Sequence, residues 1–318
     1  QNDKIIDEVE TYAAFREVEL KQDGLYLNGT RCFQKLVLMQ GFWPDGGYTA
    51  PDAESFEKDI RLAKQMGFNG GRMHSKFEDP RFLLAADRLG FLVWGEAPSF
   101  YSFSAQARSV FRKELTEIVE RDKFHPSLIT WVIGNESWGM KDIKESEEIK
   151  SWLNEIVNIV RTLDPTRPVI SNDGWEHLNS DVNSFHSYEH EAKALEKDWE
   201  LAHNNQLCGI HKKDFHLNSK NNSGLPWILS EFGAITYLED NDSAGHWGYG
   251  NSAESKHALL KHLRCLIEKA TSLDGIAGWC YTQFSDIERE KNGLLYSDRS
   301  PKVDLSSIRE ILDNIKSS

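Results

Sequence analysis

Eight short apolar runs alternate along this chain with amphipathic stretches of helical periodicity, and this alternation restricts its fold more than any other feature. The runs are typical of buried strands and cover residues 36–40, 69–74, 91–96, 129–136, 169–173, 182–188, 227–231 and 275–282. Helices are predicted at residues 53–66, 80–89, 105–123, 145–163, 253–270 and 305–315. Strands that alternate with helices form parallel sheets covered by helices, and eight such units predict a (β/α)8 TIM barrel, an α/β fold.

The length and charge of the chain limit its domain organisation and its partners. Its 318 residues are enough for one large barrel domain with a full core. Asp and Glu outnumber Lys and Arg by 50 to 37, which gives a formal net charge of -13. This charge argues against a nucleic-acid partner, because phosphate binding needs clustered cations. The sequence contains no run of about 18 apolar residues, so we predict no membrane partner.

Polar side chains gather at the C-terminal ends of the predicted strands, where TIM barrels carry their active sites. Glu136 ends the fourth run and Glu231 ends the seventh. Two carboxylates that face each other across a sugar are the groups needed to hydrolyse a glycosidic bond. We therefore expect a glycosidase. The other polar strand ends are Gln40, Arg72, His74, Glu96, Asn135, Asp173, His186, Tyr188, Tyr281 and Gln283.

Several motifs along nearly the whole chain resemble the catalytic barrel domain of glycoside hydrolase family 2. This family includes β-galactosidases, β-glucuronidases and β-mannosidases. The resemblance is carried by Asn135-Glu136 after the fourth strand and by Ser230-Glu231-Phe232-Gly233 after the seventh. Further matching motifs occur in the same order: Leu27-Asn28-Gly29, His125-Pro126-Ser127, Asp164-Pro165-Thr166-Arg167-Pro168, Asp298-Arg299 and Pro301-Lys302.

The resemblance implies a role for each residue that matches the family's motifs. Glu136 would be the general acid/base and Glu231 the nucleophile of a retaining mechanism. Asn135 would bind the sugar 2-hydroxyl group. Tyr188 would donate a hydrogen bond to the nucleophile, and the positive charge of Arg72 would keep the nucleophile ionised.

A retaining mechanism needs one protonated and one ionised carboxyl group at the same time. We expect a raised pKa for Glu136, because the negative charge of Glu231 and the flanking Trp131 and Trp138 would disfavour its ionised form. No metal or organic cofactor is required. The acidic and histidine residues around His186 contain no HExxH motif or comparable ligand set, so no metal site is predicted there.

Loops after three strands are candidates for contacts with the sugar. Trp43 and Asp45 combine an aromatic face with a carboxylate, a pairing that suits a pyranose; the alternative is a turn with a packed tryptophan. Asp173 follows the fifth strand and is a similar candidate. Trp247 lies in a Gly-rich stretch after the seventh strand, where it would line the leaving-group side. Supporting or sugar-binding roles are also expected for three strand-end residues: His74, His186 and Tyr281.

Three further assignments have a structural alternative. Arg72 could be an ion-pair partner at the barrel mouth, and Tyr188 could be a half-buried aromatic that anchors a strand end. His74 resembles the family's sugar-binding histidine, but it lies two residues after Arg72 where β-galactosidases have three. Its alternative is a structural hydrogen bond. Glu96 is expected to be a charged residue on the rim.

The final loop differs from that of β-glucuronidases, which carry an Asn-x-Lys pair for the sugar carboxylate just before a glycine. Here the matching stretch reads Glu290-Lys291-Asn292-Gly293. An acidic Glu290 would repel a uronate. A neutral β-hexoside is therefore the expected substrate, with a terminal β-galactoside as the default.

Two other functions remain open. The first is an endo-acting relative that cleaves within polysaccharides and needs an open cleft; the long loop at residues 234–251 favours a closed pocket instead. The second is a carbohydrate-binding pseudoenzyme without turnover. The presence of both glutamates together with Asn135, Arg72 and Tyr188 argues against the pseudoenzyme.

The start of the chain predicts a boundary between two domains. Residues 9–20 alternate between polar and apolar side chains like a strand and lead into a hairpin at Leu25-Tyr26-Leu27-Asn28-Gly29. Family members carry a sugar-binding β-sandwich and an immunoglobulin-like domain before the barrel. We therefore expect residues 1–30 to be a remnant of the preceding sandwich with an entry hairpin, and residues 31–318 to be the catalytic barrel. The N-terminal β-sandwich domains would be missing from this chain.

Overall fold

The computed structural model describes residues 6–8, 10–206, 212–218, 224–238 and 246–315. Within these residues the strands are β1 (Val18–Lys21), β2 (Gly24–Leu27), β3 (Thr30–Cys32), β4 (Gln34–Met39), β5 (Gly70–Met73), β6 (Leu92–Glu96), β7 (Leu128–Val132), β8 (Val169–Ile170), β9 (Asn183–Ser187), β10 (Trp227–Gly233), β11 (Ile235–Tyr237), β12 (Tyr249–Ala253) and β13 (Ile276–Thr282). The helices are α1 (Ala53–Gln65), α2 (Pro80–Leu89), α3 (Ala105–Asp122), α4 (Glu147–Leu163), α5 (Ala192–His203), α6 (Lys256–Ser272) and α7 (Leu305–Asp313).

Eight of the strands form one parallel sheet in the order β8-β7-β6-β5-β4-β13-β10-β9. Because β13 pairs with β4, the last strand of the sheet lies beside the first and the sheet curls into a nearly closed barrel. The TIM barrel predicted from the sequence is confirmed. Two strands end at least three residues earlier than expected: β7 stops at Val132 and β8 at Ile170, so Glu136 and Asp173 lie in the loops that follow.

The outer helices begin and end where the sequence carries capping signals. The Asp52 side chain accepts a hydrogen bond from the Ser55 backbone N–H at the start of α1. The Asp79 side chain caps α2, Pro80 occupies its first turn, and Gly90 ends it in the left-handed conformation.

Helix α5 is the one helix of the described chain that the sequence did not predict. Its buried face consists of Leu195, Trp199 and Ala202, and the residue at its N-cap position, Glu191, makes no capping hydrogen bond through its side chain. A short apolar face without a start signal is weak as a sequence pattern, and packing against the barrel stabilises the helix instead.

Apolar side chains form two separate cores. The larger one lies between the barrel and its helices, and the smaller one fills the lumen around Leu36, Trp94 and Ile129. The small antiparallel sheet β1-β2-β3 packs onto the lumen core through Leu25 and so covers the N-terminal end of the barrel. The polar residues at the C-terminal ends of the strands lie at the opposite end of the barrel.

The strand expected at residues 9–20 is mostly absent. Residue 9 lies outside the described residues, residues 10–17 have no regular structure, and β1 begins at Val18. The Arg16 guanidinium instead donates hydrogen bonds to the Pro126 and Leu128 carbonyl groups, at 2.8 and 2.7 Å. Among the described helices, none is both long and apolar enough to cross a membrane.

Candidate active site

A cavity of about 600 Å³ opens at the C-terminal ends of the barrel strands. Its volume lies within the range of small-molecule binding sites. Six of the residues predicted from the sequence line it: His74, Asn135, Glu136, Tyr188, Glu231 and Trp247. The predicted site residues Asp173, His186 and Arg72 are buried beneath it.

The two glutamates face each other in this cavity. A carboxylate oxygen of Glu136 and one of Glu231 lie within 4.8 Å of one another and within 4.8 Å of a ring nitrogen of His186. Glu231 belongs to β10, where the pairing with β9 shifts register between Leu229 and Glu231. Glu231 is thus held by a strand, and Glu136 is held by the loop that follows β7.

The backbone at Glu136 adopts an unusual conformation. Glu136 and Ser137 both have positive φ angles, 51° and 58°, which residues other than glycine seldom adopt. Three hydrogen bonds hold this turn: Glu136 N–H to the Asp173 carbonyl at 3.0 Å, Ser137 N–H to Asn172 Oδ1 at 2.9 Å, and Ser137 Oγ–H to Glu176 Oε2 at 2.5 Å. Strained residues of this kind concentrate at functional sites.

Arg72 connects the acidic residues under the cavity. Its Nε donates to Glu96 Oε2 at 2.7 Å, and its Nη1 lies 2.8 Å from both Glu231 Oε1 and Asp173 Oδ2. Its Nη2 donates to Asn135 Oδ1 at 2.8 Å. The expectation that Glu96 is a rim residue is wrong, because its side chain is fully buried in this network.

The charges in this network stabilise one another. Burial alone would lower the pKa of Arg72, but the negative charges of Asp173, Glu96 and Glu231 raise it well above its usual range. Burial alone would raise the pKa values of Asp173 and Glu96, but the charge of Arg72 holds both below their ordinary values. The network therefore keeps a fixed positive charge directly beneath Glu231.

His186 links the other glutamate to the same network. Its Nδ1 lies 2.8 Å from Glu136 Oε1 and its Nε2 lies 3.2 Å from Asp173 Oδ2. Burial alone would lower the pKa of His186, but the charges of Glu231 and Asp173 and the bond to Glu136 raise it to about 10. This pKa favours the imidazolium form of His186, which can donate to both of the carboxylates beside its ring nitrogens.

The raised pKa expected for Glu136 is wrong for the free protein. Burial does favour the neutral form, but the hydrogen bond and positive charge of His186 outweigh it and lower the pKa of Glu136. Trp138, one of the two tryptophans expected to raise this pKa, is half exposed at the cavity edge. The sequence pattern did not reveal the contact with His186, because the two residues are 50 positions apart.

Tyr188 and His74 both lie beside Glu231. The Tyr188 hydroxyl donates a short hydrogen bond to Glu231 Oε2, and the Tyr249 ring stacks on the Tyr188 ring at 3.8 Å. Burial and the charge of Glu231 raise the pKa of Tyr188 well above its usual range, so the hydroxyl stays protonated. His74 Nδ1 lies 3.2 Å from Glu96 Oε1 and 3.9 Å from Glu231 Oε1.

Three predicted sugar contacts lie away from the cavity. Trp43 is buried, with the Arg299 guanidinium 3.9 Å from its ring centre and Phe56 against its edge, so its face cannot stack on a sugar. The alternative of a turn with a packed tryptophan is the one observed. Asp45 is exposed in that turn, and Tyr281 is fully buried against Phe232.

Other aromatic residues surround the cavity in place of Trp43. Tyr101 is almost fully exposed, and Tyr48, Trp138 and Trp247 are about half exposed. Exposed aromatic faces next to carboxylates are what a pyranose ring requires, since its apolar face stacks while its hydroxyl groups seek acceptors. Tyr48 and Tyr101 lie in loops without a distinctive pattern, so no sequence signal pointed to them.

Glu136, His186 and Glu231 offer three atoms close enough together to bind a metal ion. However, both nitrogens of His186 are occupied by carboxylate partners, and a metal ligand must be a neutral imidazole. Glu231 Oε1 is already paired with Arg72 Nη1 at 2.8 Å. The arrangement fits an ion-paired network of side chains better than a metal centre.

Comparison with known proteins places the whole barrel in one family. The family model described as "Glycosyl hydrolases family 2, TIM barrel domain" matches residues 18–317. A β-galactosidase of Thermoanaerobacterium thermosulfurigenes is 28% identical over 287 residues, which cover 86% of this chain and 35% of that protein. A β-galactosidase of Psychromonas ingrahamii is 26% identical over 286 residues, covering 78% of this chain and 26% of that protein.

Solved structures share the fold at lower identity. A β-galacturonidase of Eisenbergiella tayi superposes with a TM-score of 0.77 at 19% identity, covering 96% of this chain and 55% of that one. A β-glucuronidase of Bacteroides uniformis superposes with a TM-score of 0.71 at 22% identity, covering 91% and 36%. The chain spans 35% and 26% of the lengths of the two curated relatives above. It belongs to glycoside hydrolase family 2 and carries the TIM-barrel domain of that family.

Proposed function

We propose that this domain hydrolyses terminal β-glycosides with retention of configuration, with Glu231 as nucleophile and Glu136 as general acid/base. The observation that carries the proposal is the approach of their carboxylate oxygens to within 4.8 Å in one cavity. Retaining glycosidases hold their two carboxyl groups about 5 to 5.5 Å apart, whereas inverting ones need about 6.5 to 9.5 Å to admit a water molecule. The short separation favours direct attack by Glu231.

Arg72 and Tyr188 prepare Glu231 for this attack. Arg72 bonds to one carboxylate oxygen of Glu231 and Tyr188 to the other, so the carboxylate is held in one orientation. Attack on the anomeric carbon would form a covalent glycosyl-enzyme and remove the negative charge of Glu231. Asn135 lines the same cavity, where it would bind the sugar 2-hydroxyl group.

Glu136 must gain a proton before the first step and lose it before the second. A bound glycoside would exclude water from Glu136, and loss of water raises the pKa of a carboxyl group. The charge of Glu231 acts in the same direction until the glycosyl-enzyme forms. Once that charge is gone, His186 again favours the ionised form of Glu136, which then activates the water that releases the sugar.

The substrate we propose is a neutral β-hexoside, with a β-galactoside as the first choice. The two curated relatives described above are named β-galactosidases, whereas the two solved structures, named a β-galacturonidase and a β-glucuronidase, share the fold at 19% and 22% identity. Exposed aromatic side chains such as Trp247 surround the cavity. The expectation of a closed, exo-acting pocket came from the long loop at residues 234–251. The structure describes this loop only at residues 234–238 and 246–251. Product analysis with an oligosaccharide will distinguish exo-hydrolysis from endo-hydrolysis.

The chain covers 35% of the β-galactosidase of Thermoanaerobacterium thermosulfurigenes. We propose that residues 1–30 form the junction with a preceding β-sandwich domain of the same polypeptide. The packing of β2 on the lumen core ties this junction to the barrel. An extended protein should therefore have a higher kcat/KM than this chain if the preceding domains contribute contacts with the substrate.

The test is hydrolysis of 4-nitrophenyl β-glycosides by the chain, by Glu231→Gln and by Glu200→Gln. Glu200 is an exposed residue of α5, so its variant is the control. We expect one neutral glycoside to be hydrolysed, a loss of more than about 1,000-fold in Glu231→Gln, and no change in the control. NMR should show the β-anomer as the first product. Release of the α-anomer, or no hydrolysis of any member of the panel, would contradict the proposal.

A further inference from the structure

We propose that Glu290 selects the glycone: it accepts hydrogen bonds from sugar hydroxyl or ammonium groups and excludes sugars that carry a carboxylate. The inference rests on the proposed function, because it assigns a substrate class to the same cavity. Glu290 lines that cavity together with both catalytic glutamates.

A chain of side-chain amides holds the Glu290 carboxylate. Asn292 Nδ2 donates to Glu290 Oε1 at 2.9 Å, Gln283 Nε2 donates to Asn292 Oδ1 at 2.6 Å, and Gln40 Nε2 donates to Gln283 Oε1 at 2.8 Å. An ionised carboxylate only accepts hydrogen bonds, so it requires Asn292 to present its NH2 group. The orientation of the Asn292 amide in turn fixes the orientations of the Gln283 and Gln40 amides.

Burial makes this arrangement rigid. Asn292 is fully buried and Gln283 is 1% exposed, so neither amide can turn toward bulk water without losing its partner. A buried amide left unpaired is destabilising, so the chain resists reversal. The result is an acceptor fixed in place on the wall of the cavity.

The backbone around Glu290 is also fixed, and it pairs with the backbone of Trp247. Residues Ile287 and Glu290 close a tight turn with hydrogen bonds of 3.1 and 2.7 Å between their backbone groups. The Trp247 backbone N–H donates to the Arg289 backbone carbonyl at 3.0 Å. Trp247 and Glu290 both line the cavity, so the site offers an exposed aromatic side chain and a carboxylate, the combination that suits a hydroxylated pyranose.

The charges of the cavity oppose an acidic sugar. Among the described residues that line it, three are glutamates, His74 is the one basic side chain, and none is Lys or Arg. Arg72 lies beneath the cavity and is occupied by Glu96, Asp173 and Glu231. A sugar carboxylate near Glu290 would therefore meet a like charge and no Lys or Arg of the described lining, with His74, already beside Glu96 and Glu231, as the one basic side chain. Such repulsion is an effective device for specificity.

The test compares glycosides that differ only at C6. We would measure kcat and KM at pH 7 for 4-nitrophenyl β-galactoside against β-galacturonide, and for β-glucoside against β-glucuronide. A 6-amino-6-deoxy-β-galactoside separates hydroxyl from ammonium recognition at the same carbon. The proteins are the wild-type chain, Glu290→Gln and Glu288→Gln. Glu288 lies in the same turn but is exposed, which makes it the matched control.

Within the pair that it hydrolyses faster, we expect the wild-type chain to prefer the neutral glycoside over the uronide by at least about 100-fold in kcat/KM. Glu290→Gln should narrow this preference by about 10-fold or more, with a raised KM for the neutral glycoside, because an amide removes the repulsion and one strong acceptor. Glu288→Gln should leave the ratio unchanged. A purely structural role of Glu290 would lower both rates alike.

A wild-type preference for the uronide, or a ratio that Glu290→Gln does not change, would overturn the assignment while leaving the glycosidase function intact. If no member of either pair is hydrolysed, the proposed function fails instead. Equilibrium binding of galactose and galacturonate to the same three proteins then decides the assignment: binding of galactose alone by the wild-type chain supports it, and binding of galacturonate at equal or higher affinity refutes it.

Discussion

Replacement of Arg72 with methionine is the sharpest test of the network beneath the cavity. Methionine keeps much of the side-chain volume but removes the charge. The change removes the Arg72 charge from Glu96 and Asp173, whose side chains are completely inaccessible to water, and leaves His74 beside Glu96 and His186 beside Asp173. Glu231 loses the same partner but is 6% exposed and faces the cavity.

The size of the effect follows from the two fully buried acids. Loss of one partner from a buried ion pair destabilises a protein by about 3 to 5 kcal/mol. With two acids affected and some relief from proton uptake, we expect the free energy of unfolding to fall by about 5 kcal/mol. At about 2 °C per kcal/mol for a chain of this length, Tm should fall by about 10 °C.

The same variant has a defined pH dependence. In the wild-type protein Arg72 holds the pKa values of Asp173 and Glu96 below their unfolded values, so their stabilisation is complete at pH 7 and is lost only at strongly acidic pH. Without Arg72, burial raises both pKa values, opposed by His186 beside Asp173 and His74 beside Glu96, so the penalty shrinks as the pH falls and the acids take up protons. The difference in stability between the two proteins should therefore narrow from pH 7 to pH 5.

Urea denaturation at both pH values measures this difference. The control is Arg61→Met, because Arg61 is 59% exposed and pairs with Glu57 on the surface of α1, where an ion pair contributes little. A loss below about 1 kcal/mol for Arg72→Met, or a difference that widens on acidification, would refute the view that Arg72 neutralises these acids.

Two further predictions concern the acid/base residue. Glu136→Gln should reduce kcat by about 10²- to 10⁴-fold for an alkyl glycoside but far less for a 4-nitrophenyl glycoside, whose leaving group needs no proton. Equal losses with both substrates would exclude Glu136 as the general acid. His186→Asn removes the positive charge that lowers the pKa of Glu136, so the alkaline limb of the pH–rate profile should move to higher pH. A limb that stays in place would show that His186 does not control this proton.

The fold and the two glutamates could be predicted because each depends on local pattern. The period of the apolar residues identified the barrel strands and six helices, since that period follows from backbone geometry. Glu136 and Glu231 follow apolar strands in a fold whose sites lie at strand ends. Helix α5 was missed because its apolar face is short and its first turn has no capping side chain.

The partners of these side chains could not be predicted, because closure of the barrel decides them. His186 contacts Glu136 although the two residues are 50 positions apart in the sequence. The hydrogen bond between Gln40 and Gln283 joins residues that are 243 positions apart. Whether a strand-end residue faces the cavity or the layer beneath also depends on the path of the backbone after the strand. Trp43 illustrates this, since the Arg299 guanidinium covers its ring.

Sequence alone therefore determined the barrel and the pair of carboxylates that would act on a sugar. Tertiary structure decided which groups set their protonation, because the pKa of Glu136 depends on burial and on a histidine that no local pattern connects to it. It also decided where Glu290 lies relative to the catalytic pair, because a charge influences a ligand through distance in space and not through separation along the chain.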